Sequence, residues 1–182
     1  NSQLEWLADD SLPFLDVYTG TEIFAEAFGC TVHYPGNDMP FALPLIHDAD
    51  EVNRLEIPSL DAAPLARVMH IARELKRRAG PGALLRMPDI QSPMDIAALI
   101  WEKSSFYPAL MEHPAAVFAL AAKVRQLLTA FLDAWFAEFG FEFIAHYPDY
   151  YVSRGITLSE DEVGVVSPDI FRRFFFPELE EL

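Results

Sequence analysis

A single stripe of large apolar side chains constrains this chain more than any other feature. Between Pro114 and Gly140, Val117, Leu120, Val124, Leu127, Leu128, Phe131, Trp135 and Phe139 recur at helical spacing. A helix of this kind is held mainly by burying its apolar face, so the chain must build a layered core around it. Lys123, Arg125, Asp133 and Glu138 interrupt the segment, and no stretch reaches the roughly 20 uninterrupted apolar residues that a membrane span needs.

Other elements follow from local signals. Leu12 to Val17 is short, apolar and rich in strand formers. Thr19 and Glu22 have the offset of a capping box ahead of Ile23, Phe24, Ala27 and Phe28, and Gly29 suits a helix end. Thr31–Tyr34 and Phe41–Ile46 flank the turn formers Pro35 to Asp38 and predict a hairpin. The spacing of Leu65, Val68, Met69, Ala72 and Leu75 predicts a helix over 64–79, ended by Gly80-Pro81-Gly82. Ala83 to Met87 and Phe141 to His146 read as buried strands, and Ile156 to Leu158 as a further short one. Ser92 is placed as an N-cap, with Pro93 at the first helical position and Asp95 at the third. Ser167-Pro168-Asp169 opens a last helix that is read as continuing to Leu182.

Composition narrows the function classes. Of 182 residues, 52% are hydrophobic and 23% charged, which describes a globular chain and not a disordered one. The net charge of −15 repels phosphate backbones and argues against a nucleic-acid partner. The one basic patch, Arg73, Lys76, Arg77 and Arg78, has the ordinary reading of a solvated helix face with cations near its C-terminus. Cys30 is the only cysteine, so no intrachain disulfide forms, and a reducing, cytoplasmic setting is expected. The opening residues show no basic region followed by an apolar run, the pattern of a secretion signal.

Strands alternating with helices imply βαβ units and a parallel sheet. Only about three strands of the core type are present, where a complete (β/α) barrel has eight in about 250 residues. Three ordered motifs then carry a family resemblance. Gln91-Ser-Pro-Met-Asp-Ile-Ala-Ala-Leu-Ile100 looks like a Gly-Pro-x-Asp-Ile-Ala helix start. Met111-Glu-His-Pro114 resembles a Glu-x-Pro start of a long helix. Val166-Ser-Pro-Asp-Ile-Phe-Arg-Arg-Phe174 with Phe175-Phe-Pro177 resembles a Ser-Pro-Glu-x-Phe-x-x-Phe-x-x-Pro signature.

Together they resemble the uroporphyrinogen decarboxylase superfamily, which also contains zinc-dependent methyltransferases that act with corrinoid partners. The resemblance implies an α/β fold, a partial (β/α)8 TIM-type barrel with an added β-hairpin. The chain would be a single domain over 1–182, the front half, carrying the second to fourth strands. The decarboxylase's Arg-rich signature is absent, its key aspartate falls near Gly20, its tyrosine on Leu99 and its serine on Asp161. A small-molecule methyltransferase linked to a corrinoid protein is therefore expected in preference to a porphyrinogen decarboxylase. Zinc and a corrinoid are the implied cofactors, with their ligands outside this chain. The rival is a non-catalytic half-barrel that assembles, for instance as a homodimer, to cover its open sheet edges.

In such barrels the functional groups lie at the C-terminal ends of strands and in the loops that follow. Asp16, Tyr18 and Glu22 follow the first strand. Arg86, Asp89 and Gln91 follow the next, His146, Tyr147 and Asp149 the third, and Asp161 and Glu162 precede the Ser-Pro helix. An imidazole at a strand end can titrate near neutrality and can also ligate a metal, which makes His146 the leading catalytic candidate, with Asp161 and Asp89 beside it. Gln91, Glu22, Tyr147 and Glu162 are the candidates for contacting a small-molecule substrate. Asp161 and Glu162 suit an acid and a base if burial separates their pKa values, and suit a solvated acidic turn equally. Asp95 reads as a helix-cap partner. Tyr147, Tyr150 and Tyr151 either line a pocket for a flat cofactor or anchor a loop. Cys30 and His33 have a Cys-x-x-His spacing, but a tetrahedral zinc takes about four ligands and no local partners stand near.

Overall fold

The computed structural model describes residues 12–182. The opening segment, where a secretion signal would lie, falls outside the described residues. In chain order the elements are β1 (Phe14–Leu15), α1 (Ile23–Ala27), β2 (Thr31–His33), β3 (Phe41–Leu43), α2 (Ala63–Ala79), β4 (Leu84–Leu85), α3 (Pro93–Ile100), α4 (Lys103–Glu112), α5 (Pro114–Phe139), β5 (Phe143–Ile144), β6 (Tyr151–Val152), α6 (Pro168–Ile170) and α7 (Phe176–Glu180). A 3-10 turn spans Ala49–Arg54 and another spans Glu162–Val165.

The core is built between α3 and α5. Pro93, Met94, Asp95, Ile96, Ala97, Ala98 and Ile100 of α3 are all buried, so this helix is enclosed on every side. Its start is dictated locally: the Ser92 hydroxyl accepts the Asp95 N–H at 3.1 Å, and Pro93 occupies a position that needs no donor. Helix α5 buries Val117, Leu120, Val124, Leu127, Leu128, Phe131 and Trp135, as its periodicity predicts. Each such side chain contributes roughly 1.5–3 kcal/mol of transfer free energy. By length and composition α5 is apolar enough to cross a bilayer despite its charges. Those charges are nonetheless used within the fold. Lys123 donates to the carbonyls of Val52 and Leu55 at 2.8 and 2.5 Å, and Arg125 pairs with Glu178 at 2.8 Å.

Three short strands run parallel around this core. Phe14 pairs with Leu84 and Leu15 with Leu85. The array continues from β4 to β5 through a parallel bridge between Arg86 and Ile144, where the Met87 N–H donates to the Ile144 carbonyl at 2.8 Å. The predicted hairpin is present as antiparallel β2 and β3, with Val32 opposite Ala42. This is an α/β fold with a short parallel arc, and the described residues do not close a barrel.

Three local expectations are corrected and one helix is added. Thr19 does not cap α1, whose N-cap is Glu22 without a side-chain cap bond; its hydroxyl is engaged elsewhere. Residues 156–158 form no strand. Instead, β6 pairs antiparallel with β5, and Ser159 alone bridges Gln91 in parallel. Helix α4 lacks a clean sequence signal because Pro108 lies inside it. The last helical run is not uniform: a π turn over Phe171–Phe175 separates α6 from α7, and the run ends at Glu180. Pro177 has no N–H to give the Arg173 carbonyl, and the wider turn, in which the Phe176 N–H donates to Phe171, absorbs that loss while burying adjacent Phe174 and Phe175.

Candidate functional site

Parallel strands that end together bring the residues after them to one place. Arg86, just after β4, is held between two carboxylates, with Nη1 2.7 Å from Asp16 Oδ2 and Nη2 on Asp149. Burial opposes its charge, but Asp149 and Asp16 outweigh that and raise its pKa. Its guanidinium also lies 5.0 Å above the Phe14 ring. The three strand ends are thereby tied together by one side chain.

Asp89 stands next along the same edge. Its backbone N–H donates to the Thr19 hydroxyl at 3.0 Å, which fixes the loop after β1 against the loop after β4. Its carboxylate oxygen Oδ2 lies 3.5 Å from His146 Nε2, a separation too long for a tight hydrogen bond. Burial pushes the Asp89 carboxyl above the usual range; a protonated His146 pulls it back and Asp161 pushes it further up.

Gln91 completes the group. It is only 5% exposed, and its Nε2 donates to Asp161 Oδ2 at 3.2 Å, while its Oε1 has no protein donor. Asp161 is held in turn by its backbone, because the Asp95 carboxylate accepts the N–H groups of Asp161 and Glu162 at 2.5 and 2.9 Å. The structure therefore gathers Asp89, His146, Gln91 and Asp161 along one polar row, as acid–base pair, amide and carboxylate.

None of the other three sequence candidates has a side-chain hydrogen bond to that row. Tyr147 is 88% exposed. The Glu162 carboxylate turns to α4, where it accepts from Lys103 and from the Tyr107 hydroxyl. Glu22 is buried on α1 beside Gly20, Glu26 and Arg67, and burial raises its pKa. Sequence reasoning assigned no site role to Thr19, Asp95 or Glu160, whose contribution is to fix the loops. Only their tertiary partners reveal this, although the offset from Ser92 to Asp95 marked the helix end on which Asp95 sits.

The described residues do not fit zinc. Among the described residues no group of three or more His, Cys, Asp or Glu side chains could hold a metal ion. Burial pushes the Cys30 thiol up to about 11, and His33 faces outward on β2. Tyr147, Tyr150 and Tyr151 stand open to solvent, and the Tyr151 hydroxyl donates to Glu142, so they enclose no slot for a flat cofactor. The basic patch is engaged internally: Arg73 with Glu138, Arg77 and Arg78 with Glu74, and Lys76 with the carbonyls of Pro81 and Ala83.

Fold and site together define an α/β protein whose polar groups are carried by the loops after parallel strands. The chain belongs to the uroporphyrinogen decarboxylase (URO-D) family, whose model matches residues 14–182. Its fold is similar to that of a methyltransferase from Methanosarcina mazei, with a TM-score of 0.76 at 13% sequence identity. That match covers 92% of this chain and 47% of the methyltransferase, so the chain spans about half its length. No curated protein matches the chain by sequence.

Proposed function

We propose that this chain is the front half of a (β/α)8 barrel enzyme that moves a methyl group from a small organic molecule, in the cytoplasm and with a corrinoid protein as partner. The observation that carries the reading is the Asp89–His146 pair beside Gln91 and Asp161 at the ends of the parallel arc. Asp89 Oδ2 stands 3.5 Å from His146 Nε2, and in this reading His146 passes a proton to the heteroatom that a departing methyl group leaves behind. Gln91 Oε1, buried and with no protein donor, is the acceptor this reading assigns to the substrate. A corrinoid would supply the methyl acceptor from its partner protein, and no step is assigned to zinc. Porphyrinogen decarboxylation is disfavoured, because the positions resembling that enzyme's aspartate and tyrosine are Gly20 and Leu99.

The test is demethylation of small methoxy and methylamino compounds by the purified full-length protein with a corrinoid protein. His146→Ala is expected to lower the rate at least about 100-fold, the scale of a general acid. Undiminished turnover by that variant, or decarboxylation of a porphyrinogen by the wild type, overturns the proposal.

A second reading is favoured by one fact, that the chain spans about half of the matched structure. In it the chain is a non-catalytic half-barrel whose open edge is covered by a second copy. Sedimentation equilibrium separates the two: a clean dimer of this chain supports assembly, and a monomer removes it.

A further inference from the structure

The polar row is unbalanced in charge. Asp89 and Asp161 are carboxylates, and the His146 imidazole is the only group of the row that can turn positive. Among the described residues, Asp161 Oδ2 accepts from the uncharged Gln91 Nε2 at 3.2 Å, and Asp161 pairs with no lysine, arginine or histidine. The cations around the row are already committed. Arg86 also acts on Asp89, but it is held between Asp16 and Asp149, two carboxylates to one guanidinium. Lys103 is taken by Glu162. The fixed charges at the strand ends therefore favour a cation. Charge by itself names no ligand, and Gln91 supplies the second observation. Its side chain is more than nine-tenths buried, and its Oε1 has no protein donor. The amide cannot be turned over to cure this, because the Asp161 carboxylate can only accept and must face the NH2 end. One planar amide carries both atoms, so the unpaired acceptor lies beside the Asp161 carboxylate. A buried amide oxygen without a donor calls for an N–H or O–H from outside the protein. Access is open: the Asp89 and His146 side chains are part-exposed, and Asp161 is exposed.

We propose that the small molecule this row takes is a protonated amine, whose N–H donates to Gln91 Oε1 and whose charge lies against Asp161 and Asp89. This rests on reading the row as the substrate site, and it names the substrate class: the methyl group is carried on nitrogen and not on a methoxy oxygen. Aliphatic amines keep their proton at neutral pH, as the lysine amine does, so the charge and the donor arrive on one atom. A quaternary ammonium ion brings the charge without the donor and leaves Gln91 Oε1 unpaired. An alcohol brings the donor without the charge and leaves Asp161 uncompensated. Only a group with both satisfies the amide and the carboxylates together.

The experiment is isothermal titration calorimetry on the purified full-length protein at near-neutral pH, with three probes of similar size. Trimethylammonium has the charge and an N–H, tetramethylammonium only the charge, and tert-butanol only a hydroxyl donor. Trimethylammonium is expected to bind at least about 10-fold more tightly than either of the others, and less tightly as sodium chloride is added. Asp161→Asn keeps an oxygen for Gln91 Nε2 and removes the charge. It is expected to weaken trimethylammonium at least about 10-fold and to leave tert-butanol unchanged. Urea unfolding checks that this variant is folded; if it is not, the ranking of the three probes on the wild type decides alone. Tetramethylammonium or tert-butanol binding as tightly as trimethylammonium overturns the proposal. So does a folded Asp161→Asn variant with wild-type affinity, or no trimethylammonium binding at millimolar concentration. Binding is read without a methyl acceptor, so amine binding without methyl transfer removes the transfer reading and leaves this one standing. Demethylation of a methoxy compound by a protein that binds no amine does the reverse.

Discussion

His146 Nε2 lies 3.5 Å from Asp89 Oδ2, so the loop after β5 meets the loop after β4 through an imidazole and a carboxylate. Asp89 is reached from two directions, since Thr19 holds its backbone and His146 its side chain. The pairing therefore depends on three segments that are distant in the sequence.

The charge coupling within this row predicts how Asp89 titrates. Burial raises its pKa, the His146 charge lowers it and Asp161 raises it. In His146→Ala the Asp89 carboxyl, followed by carbon NMR, is expected to titrate at a higher pH than in the wild type, and in Asp161→Asn at a lower pH. Because the folded-state pKa is raised, stability is lost as pH rises through it, and Asp89→Asn is expected to lessen that loss. An Asp89 curve that is the same in all three proteins would separate these residues from one another.

Thr19 is expected to matter for stability out of proportion to its size. Thr19→Val removes the acceptor for the Asp89 N–H and leaves that donor without a partner in a half-buried site, at a cost of about 1–3 kcal/mol. Thr19→Ser keeps the hydroxyl and is expected to recover most of the loss. Urea unfolding of the three proteins measures the difference, and equal midpoints for Val and Thr would show that the bond contributes nothing.

Glu162 is expected to act on stability and not on ligand contact. Its carboxylate, buried against Lys103 and Tyr107, is expected to cost about 1–3 kcal/mol when replaced in Glu162→Gln. A double-mutant cycle with Lys103→Met is expected to give a coupling of about 0.5–3 kcal/mol. Substrate KM is expected to stay within about twofold, since a contact absent from the site changes no ground-state binding. A large rise in KM without loss of stability would return Glu162 to the substrate.

Much of the scaffold was legible because its signals are local. The apolar stripe of α5, the Ser92 cap with Pro93, the Gly29 helix end and the turn between β2 and β3 depend on residues within a few positions of each other. Thr19 shows where such reading fails: its spacing to Glu22 fits a capping box, yet its hydroxyl bonds to Asp89 across the fold. Ser159 shows a second limit, since a single bridging residue has no periodicity to detect.

The candidate site divides along the same line. The sequence by itself determined which residues follow the strands, and hence that Asp89, Gln91, His146 and Asp161 were worth considering together. It also marked the chain's family through three ordered motifs. Only the tertiary structure decided that those four gather and that the Glu162 carboxylate turns to Lys103 and Tyr107. It alone turned Asp95 from a helix-start residue into the anchor of a distant segment. The physical reason is that caps and amphipathic stripes are set by hydrogen bonds and burial within one or two turns. The direction of a side chain at a strand end is set by partners from other segments, and no local spacing encodes them.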